Sequence, residues 1–202
     1  MTKDFIYLAS ASPRRSALLE QIGVAYRAVP AEICEDLEPD EDAARYVRRL
    51  AEAKARKVWA QSHGDQARPV LAADTTVVID ERILGKPRDA GEAFEMLSAL
   101  SGRVHRVLTG VALCHAGGML SQLSVSEVKF RTTTAAERRA YCATGEPLDK
   151  AGAYGIQGYG GVFIEWIRGS FSAVVGLPLA ETALLLAHVG QPAWLAVDTM
   201  PR

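Results

Sequence analysis

Apolar and polar residues follow one another along this chain with a period that changes from segment to segment, and the changes mark strands and helices. Phe5 to Ala9 is a short apolar run of strand length. Ser12-Pro13 then places an N-cap residue ahead of a proline at the first helical position, so a helix is expected from there to Gly23. Tyr26 to Val29 reads as a second strand and Glu32 to Asp42 as an acidic loop. In the next segment Ala43, Val47, Leu50, Ala51 and Val58 fall on one face at helical spacing, which predicts a long helix ending near Gly64.

Pro69 to Asp80 is almost continuously apolar, the pattern of a central strand covered on both faces, and Ile83-Leu84 returns as its hairpin partner. Asp89 with Glu92 has the spacing of a capping box, for a helix that stops at Gly102. Two longer strands, Val104 to Cys114 and Leu120 to Phe130, flank a turn at Gly117-Gly118, and Thr134 with Glu137 opens a helix ending at Gly145. A strand from Val162 to Ile167, a turn at Gly169-Ser170 and a helix begun by Pro178 follow, with a peripheral tail after Gly190. Strands and helices interleave without an internal repeat, so the fold class is mixed α/β.

Composition narrows the function. The chain has 202 residues, 49% of them hydrophobic, enough for a large core in one domain or two closely joined lobes. Its formal net charge of -1 supplies no overall positive field for nucleic acid or an anionic membrane, so any anion site is local. Cys34, Cys114 and Cys142 are odd in number, widely spaced and without a CxxC pair, which argues against a disulfide framework or a structural zinc site and fits a reducing compartment. Met1 to Asp4 lead straight into the first strand with no signal-peptide core, and no apolar run is long enough to span a bilayer. A cytoplasmic protein is expected.

The candidate chemistry is concentrated in a few places. Leu8 to Arg15 puts Ser10, Ser12, Arg14 and Arg15 where a strand turns into a helix, and the free N–H groups of a first helical turn attract anions. The same residues also suit an ordinary helix cap with two solvated arginines. Lys54 lies on the apolar stripe of the long helix, either snorkelling from its edge or held at an internal cleft. Asp74 interrupts the most apolar strand, and a carboxylate there needs a cation, a metal or hydrogen bonds. Thr75 and Thr76 suit a structural answer, and metal ligation or general-base work suits a functional one. Glu146 to Gly161 is glycine-rich but carries Asp149, Lys150, Tyr154 and Gln157, so it reads as a binding loop.

Other chemistries lose their usual supports. Gly85-Lys86-Pro87 lacks the residues of a P-loop, no GxGxxG or GxSxG is present, and His63, His105, His115 and His188 lack zinc-ligand spacing.

Taken together, Ser10 to Arg15, Ala73-Asp-Thr75, Gly85-Lys-Pro87, Ser101 to His105 with Thr109-Gly110, Asp149 to Gln157 and Gly176-Leu-Pro178 closely resemble the Maf family of nucleotide pyrophosphatases. The motifs occur in family order over nearly the whole chain, which is more specific than any one of them. The resemblance implies one Maf-like domain over residues 1–202 with an elongated mixed β-sheet flanked by helices, related to inosine triphosphate pyrophosphatases. It also implies two lobes around a central cleft, where a nucleoside triphosphate loses pyrophosphate. Carried over by residue, Asp74 matches the catalytic carboxylate and Glu35 a second carboxylate tied to metal or water. Ser10, Arg14, Arg15, Lys54 and Lys86 match phosphate-binding groups.

Arg14, Thr75 and Gln157 match the specificity residues of the branch that acts on dTTP and UTP, although Phe171 stands where that branch often has tyrosine. The implied cofactor is a divalent cation, Mg²⁺ or Mn²⁺, with Asp74 and Glu35 as its ligands, and the implied assembly is a homodimer. A sister branch hydrolyses 7-methyl-GTP, against which Gln157 argues. The family's association with septum formation leaves a nonenzymatic division regulator as the alternative from another class.

Overall fold

The computed structural model describes residues 5–62, 68–191 and 193. Its elements are β1 (Ile6–Leu8), α1 (Pro13–Gln21), β2 (Tyr26–Ala28), α2 (Ala43–Gln61), β3 (Val70–Ile79), β4 (Arg82–Leu84) and α3 (Ala90–Leu100). There follow β5 (Val104–His115), β6 (Gly118–Phe130), α4 (Ala135–Ala143), β7 (Ile164–Arg168), α5 (Phe171–Val175) and α6 (Leu179–His188). The seven strands form a mixed sheet in the order β2-β1-β3-β5-β6-β7, with β4 beside β3. β1 runs parallel to β2 and β3, whereas β4 is antiparallel to β3 and β7 to β6. This is the mixed α/β class, a sheet flanked by helices, that the hydrophobic pattern and the family resemblance imply.

The chain divides into two compact units. The first holds the described residues up to Asp74, Thr109–Ser124, and those from Gly176 onward. The second holds Thr75–Leu108 and Val125–Val175.

In the first unit α2 packs on the sheet through small residues, Ala51 and Ala55, against Val70 and Ala72 of β3 and Ala112 of β5. Because side chains alternate along a strand, Val70, Ala72 and Asp74 share the face that looks at α2. The approach is close enough that a Cβ on Gly110 of β5 would stand 2.6 Å from the Val47 carbonyl oxygen. Glycine is required there by the helix backbone itself.

In the second unit Val77 and Ile79 of β3 pack with Ala93, Met96, Leu97 and Leu100 of α3. An aromatic cluster lies beside them, with the ring centroids of Phe130 and Tyr154 4.7 Å apart and those of His105 and Phe130 5.1 Å apart. Three single 3₁₀ turns, Glu146–Asp149, Ala151–Ala153 and Tyr159–Phe163, shape the glycine-rich segment. Gly152, at φ 68°, lies so close to Val77 that a Cβ would meet its side chain at 2.8 Å.

Several local expectations need correction. Ser12 occupies the N-cap of α1, but its side chain makes no capping bond. Asp89 caps α3 by accepting from Glu92 N–H at 2.8 Å, yet Glu92 turns its carboxylate to Arg88 N–H, so the box is half formed. At Thr134 both halves of the box are present. The β5–β6 turn is Ala116-Gly117, one residue earlier than expected, and Gly118 already belongs to β6. Val162 and Phe163 belong to a 3₁₀ turn, not to β7. The expected helix end at Gly64 lies outside the described residues, as do Met1–Asp4, His63 and most of the tail after Gly190. The cysteines are free, Cys34 exposed and Cys114 and Cys142 buried, and no described helix is long and apolar enough to cross a membrane.

Candidate active site

The first unit holds six of the expected residues, Ser10, Arg14, Arg15, Glu35, Lys54 and Asp74, and brings Glu35 and Asp74 to the ammonium of Lys54. Lys54, on the sheet-facing stripe of α2, is buried, and its Nζ lies 2.7 Å from Asp74 Oδ1 and 2.6 Å from Glu35 Oε1. Snorkelling to solvent is therefore not its role. Burial pushes the Asp74 carboxyl above the usual carboxylate range, opposed by the charges of Lys54 and Arg15 and by the Lys54 hydrogen bond. Glu35 raises it further. A carboxylate held in this way is closer in basicity to a general base than an exposed one.

Ala9 N–H donates to Leu71 O at 2.8 Å, which brings the turn after β1 next to the part of β3 that carries Asp74. Within that turn Ser10 Oγ accepts from Ser12 N–H at 3.1 Å and from Arg15 Nη1 at 3.2 Å. Arg15 Nε donates to the Gly176 carbonyl at 2.8 Å, so the Gly176-Leu-Pro178 motif acts by holding a guanidinium. Gly176 has φ 132°, a conformation that favours glycine. Burial draws the Arg15 guanidinium below its ordinary value, against the attraction of Asp74, and neighbouring Arg14 acts in the same direction as burial.

Glu35 belongs to the acidic loop, and α2 pins that loop through its backbone. Tyr46 Oη donates to Glu35 O at 2.9 Å, Arg49 Nη2 to Asp36 O at 2.9 Å, and Lys57 Nζ to Glu32 O. Arg49 also forks onto Glu41, with Nε to Oε1 at 2.6 Å and Nη2 to Oε2 at 2.7 Å. Burial, followed by the charges of Asp74 and Glu35, pushes the Tyr46 phenol up to about 12. It therefore stays protonated beside both carboxylates. Tyr46 and Arg49 were not singled out from the sequence; the available signal was that Tyr46, Leu50 and Lys54 recur every four residues on one helical face.

The other expected residues lie in the second unit. Thr75 follows Asp74 on β3 and is half-buried; Lys86 follows β4 and is exposed; Gln157 is exposed between the second and third 3₁₀ turns. Gly152 N–H donates to Gly85 O at 3.0 Å, which ties the Lys86 segment to the start of the glycine-rich loop.

A family model described as Maf-like protein matches residues 5–189. The chain belongs to the Maf-like family. Among curated members it is 52% identical over 187 residues to the dTTP/UTP pyrophosphatase of Chromobacterium violaceum, covering 92% of this chain and 94% of that protein. It is 51% identical over 191 residues to the protein of that name from Bordetella parapertussis, with 92% of each chain covered. The corresponding figures for Escherichia coli O157:H7 are 52% over 183 residues, 91% of this chain and 92% of the relative.

Among the described residues no group of three or more His, Cys, Asp and Glu side chains is arranged to hold a metal ion. In this Maf-like chain a pair of carboxylates suits Mg²⁺ or Mn²⁺ in the kind of donor it offers. Such hard ions take oxygen donors, commonly one or two carboxylates completed by water and substrate phosphates. Asp74 and Glu35, brought to one ammonium, supply two oxygen donors of that kind.

Proposed function

We propose that this chain hydrolyses dTTP and UTP to the nucleoside monophosphate and pyrophosphate, with Asp74 as the base. The observation that carries the reading is the convergence of Asp74 and Glu35 on Lys54, beside Arg15 and Ser10 at the start of α1. Cleavage between the α- and β-phosphates requires cations along the polyphosphate and a base for water. Arg14, Arg15, Lys54 and Lys86 carry the cationic charge and Ser10 a hydroxyl. Lys54 also offsets the repulsion between the two carboxylates it joins.

Asp74 takes a proton from water as its oxygen attacks the α-phosphorus; the bond to the bridging oxygen breaks, and pyrophosphate leaves. Glu35 and Asp74 are the residues to hold Mg²⁺ or Mn²⁺, which when bound supplies charge neutralisation to the polyphosphate. The pyrimidine preference follows the names of the relatives, with Arg14, Thr75 and Gln157 as the residues that read the base and sugar. The three unpaired cysteines support a reducing, cytoplasmic setting.

The deciding experiment offers dTTP, UTP, CTP, GTP and 7-methyl-GTP to the purified protein with Mg²⁺ or Mn²⁺ and follows pyrophosphate and orthophosphate separately. Pyrophosphate released one to one with monophosphate, with dTTP and UTP leading in kcat/KM, is the expected result. Direct orthophosphate release, or a purine nucleotide in the lead, overturns the reading.

A further inference from the structure

The segment that carries Gln157 is wrapped around one carboxylate. Glu146 Oε2 accepts from Tyr159 N–H at 2.9 Å, and its Oε1 accepts from Gly160 N–H at 3.2 Å and from Tyr141 Oη at 2.8 Å. Tyr141 Oη in turn accepts from Gly155 N–H at 3.0 Å. Two residues before Gln157 and three after it, the backbone is thus tied to the same Glu146–Tyr141 pair.

The glycines on either side exist because the carboxylate and its neighbours fill the space. A Cβ on Gly158 would stand 2.4 Å from Glu146 Oε2, and one on Gly155 would stand 2.6 Å from Lys150 Cε. A Cβ on Gly160 would stand 2.7 Å from Tyr141 Oη. Lys150 Nζ closes the arrangement by donating to Glu146 O at 2.7 Å and to Asp149 Oδ1 at 2.5 Å. Gly155 and Gly160 are buried, whereas Gln157 between them is exposed. The loop therefore has a fixed base and a projecting side chain.

We infer that Glu146 is a positioning residue for base selection, its carboxylate fixing the backbone from which Gln157 meets the pyrimidine. The inference rests on the proposed reading of Gln157. Burial of Glu146 acts against its charged form, but the Tyr159 and Gly160 N–H groups, the Tyr141 hydroxyl and Lys150 outweigh it and hold the carboxyl below its ordinary value. The loop is thus anchored by an ionised group at neutral pH. A backbone held by charge-assisted hydrogen bonds keeps the amide donor and acceptor of Gln157 at fixed positions, so a base whose edge does not match them leaves them unpaired.

The test compares kcat/KM for dTTP, UTP, CTP and GTP in the wild type, Glu146→Gln, Glu146→Asp, Tyr141→Phe and Gln157→Glu, with amide hydrogen exchange at Tyr159 and Gly160. In Glu146→Gln an amide NH₂ faces backbone donors. We expect dTTP and UTP hydrolysis to fall at least tenfold, CTP and GTP to change less than threefold, and both amides to exchange faster. Glu146→Asp, which keeps the charge, recovers part of the ratio.

Should Glu146→Gln fail to fold, Tyr141→Phe decides, since it removes one hydroxyl and is expected to shift the ratio in the same direction. A folded Glu146→Gln with an unchanged nucleotide ranking, while Gln157→Glu alters it, overturns the role of Glu146 and leaves the pyrimidine reading standing. A ranking that Gln157→Glu leaves unaltered, or a wild type without preference for dTTP and UTP, overturns the reading of Gln157 and this inference with it.

Discussion

Lys54 Nζ and Asp74 Oδ1 are 2.7 Å apart, with side chains only 10% and 11% exposed. A pair this far from water is asymmetric to mutation, because removing one partner strands the charge of the other. Lys54→Met is expected to destabilise the fold by up to roughly 3–5 kcal/mol, the range for a broken buried pair. Adding Asp74→Asn should restore part of that loss, since the buried carboxylate is then neutral and Glu35, whose side chain is 48% exposed, can turn to water. Asp74→Asn alone leaves Lys54 paired with Glu35, so it should keep the fold and lower kcat by about 10²–10⁴, the usual contribution of a general base. Urea unfolding of the singles and the double, with turnover of the folded ones, checks both. A double variant as unstable as the sum of the singles would show that the pair does not interact as drawn.

Gly110 is a second point on which the site depends without touching it. A Cβ there meets the Val47 carbonyl oxygen at 2.6 Å, its carbon at 2.8 Å and the Arg48 nitrogen at 3.0 Å, all in the backbone of α2. The neighbour that must give way is the helix bearing Lys54. Gly110→Ala is therefore expected to cost roughly 1–3 kcal/mol, as overpacking does, and to lower kcat with it. Thermal unfolding and turnover measured together check this, and an Ala variant equal to the wild type in both would mean α2 is not so closely seated.

His105 gives the fold a pH dependence. It is 2% exposed; its Nε2 shares a hydrogen bond with Tyr154 Oη at 2.8 Å, and its buried Nδ1 has no partner. Burial lowers it from 6.5 to about 4, and burial holds Tyr154 protonated. Between those values the unfolded chain binds a proton that the folded chain refuses, so stability is full above about 6.5 and is lost as pH falls toward 4. The loss amounts to about 3 kcal/mol when pH reaches the lower value. His105→Phe cannot titrate, so the difference in unfolding free energy between variant and wild type should change by that amount from pH 7.5 to pH 4. A constant difference removes His105 from the account.

How much of this was legible in the sequence depended on how local the physics was. The apolar run of β3 and the helix opened by Thr134 with Glu137 are set by neighbours in the chain, and both were found where expected. Asp74 and Lys54 were visible as polar interruptions of apolar faces, because such interruptions need partners. That they partner each other follows from α2 lying over β3, which no period records. Tyr46, Arg49 and Glu146 were missed for one shared reason: they bind backbone groups of Glu35, Asp36, Tyr159 and Gly160 that only the folded chain brings near. The five-residue α5 is too short for a helical period, although Ser170, whose Oγ accepts from Ala173 N–H at 3.2 Å, marks its start.

Gln157 offers the sharpest test of how the base is chosen. Its side chain projects from a loop whose backbone is held by Glu146, and an amide presents both a donor and an acceptor, as the edge of a uracil or thymine ring does. Gln157→Glu preserves size and acceptors but removes the donor, so a pyrimidine carbonyl that it meets is left facing a carboxylate. Leaving one polar group unpaired costs about 1–3 kcal/mol, so kcat/KM for dTTP and UTP should fall by roughly one to two orders of magnitude. A base with donors on the same edge, such as 7-methylguanine, should lose less or gain. If Gln157 served only the shape of its loop, every nucleotide would decline by a similar factor, because a displaced loop has no preference among bases. Values of kcat/KM for dTTP, UTP, CTP, GTP and 7-methyl-GTP on both proteins separate the two cases. An unchanged order of substrates takes Gln157 out of the base site.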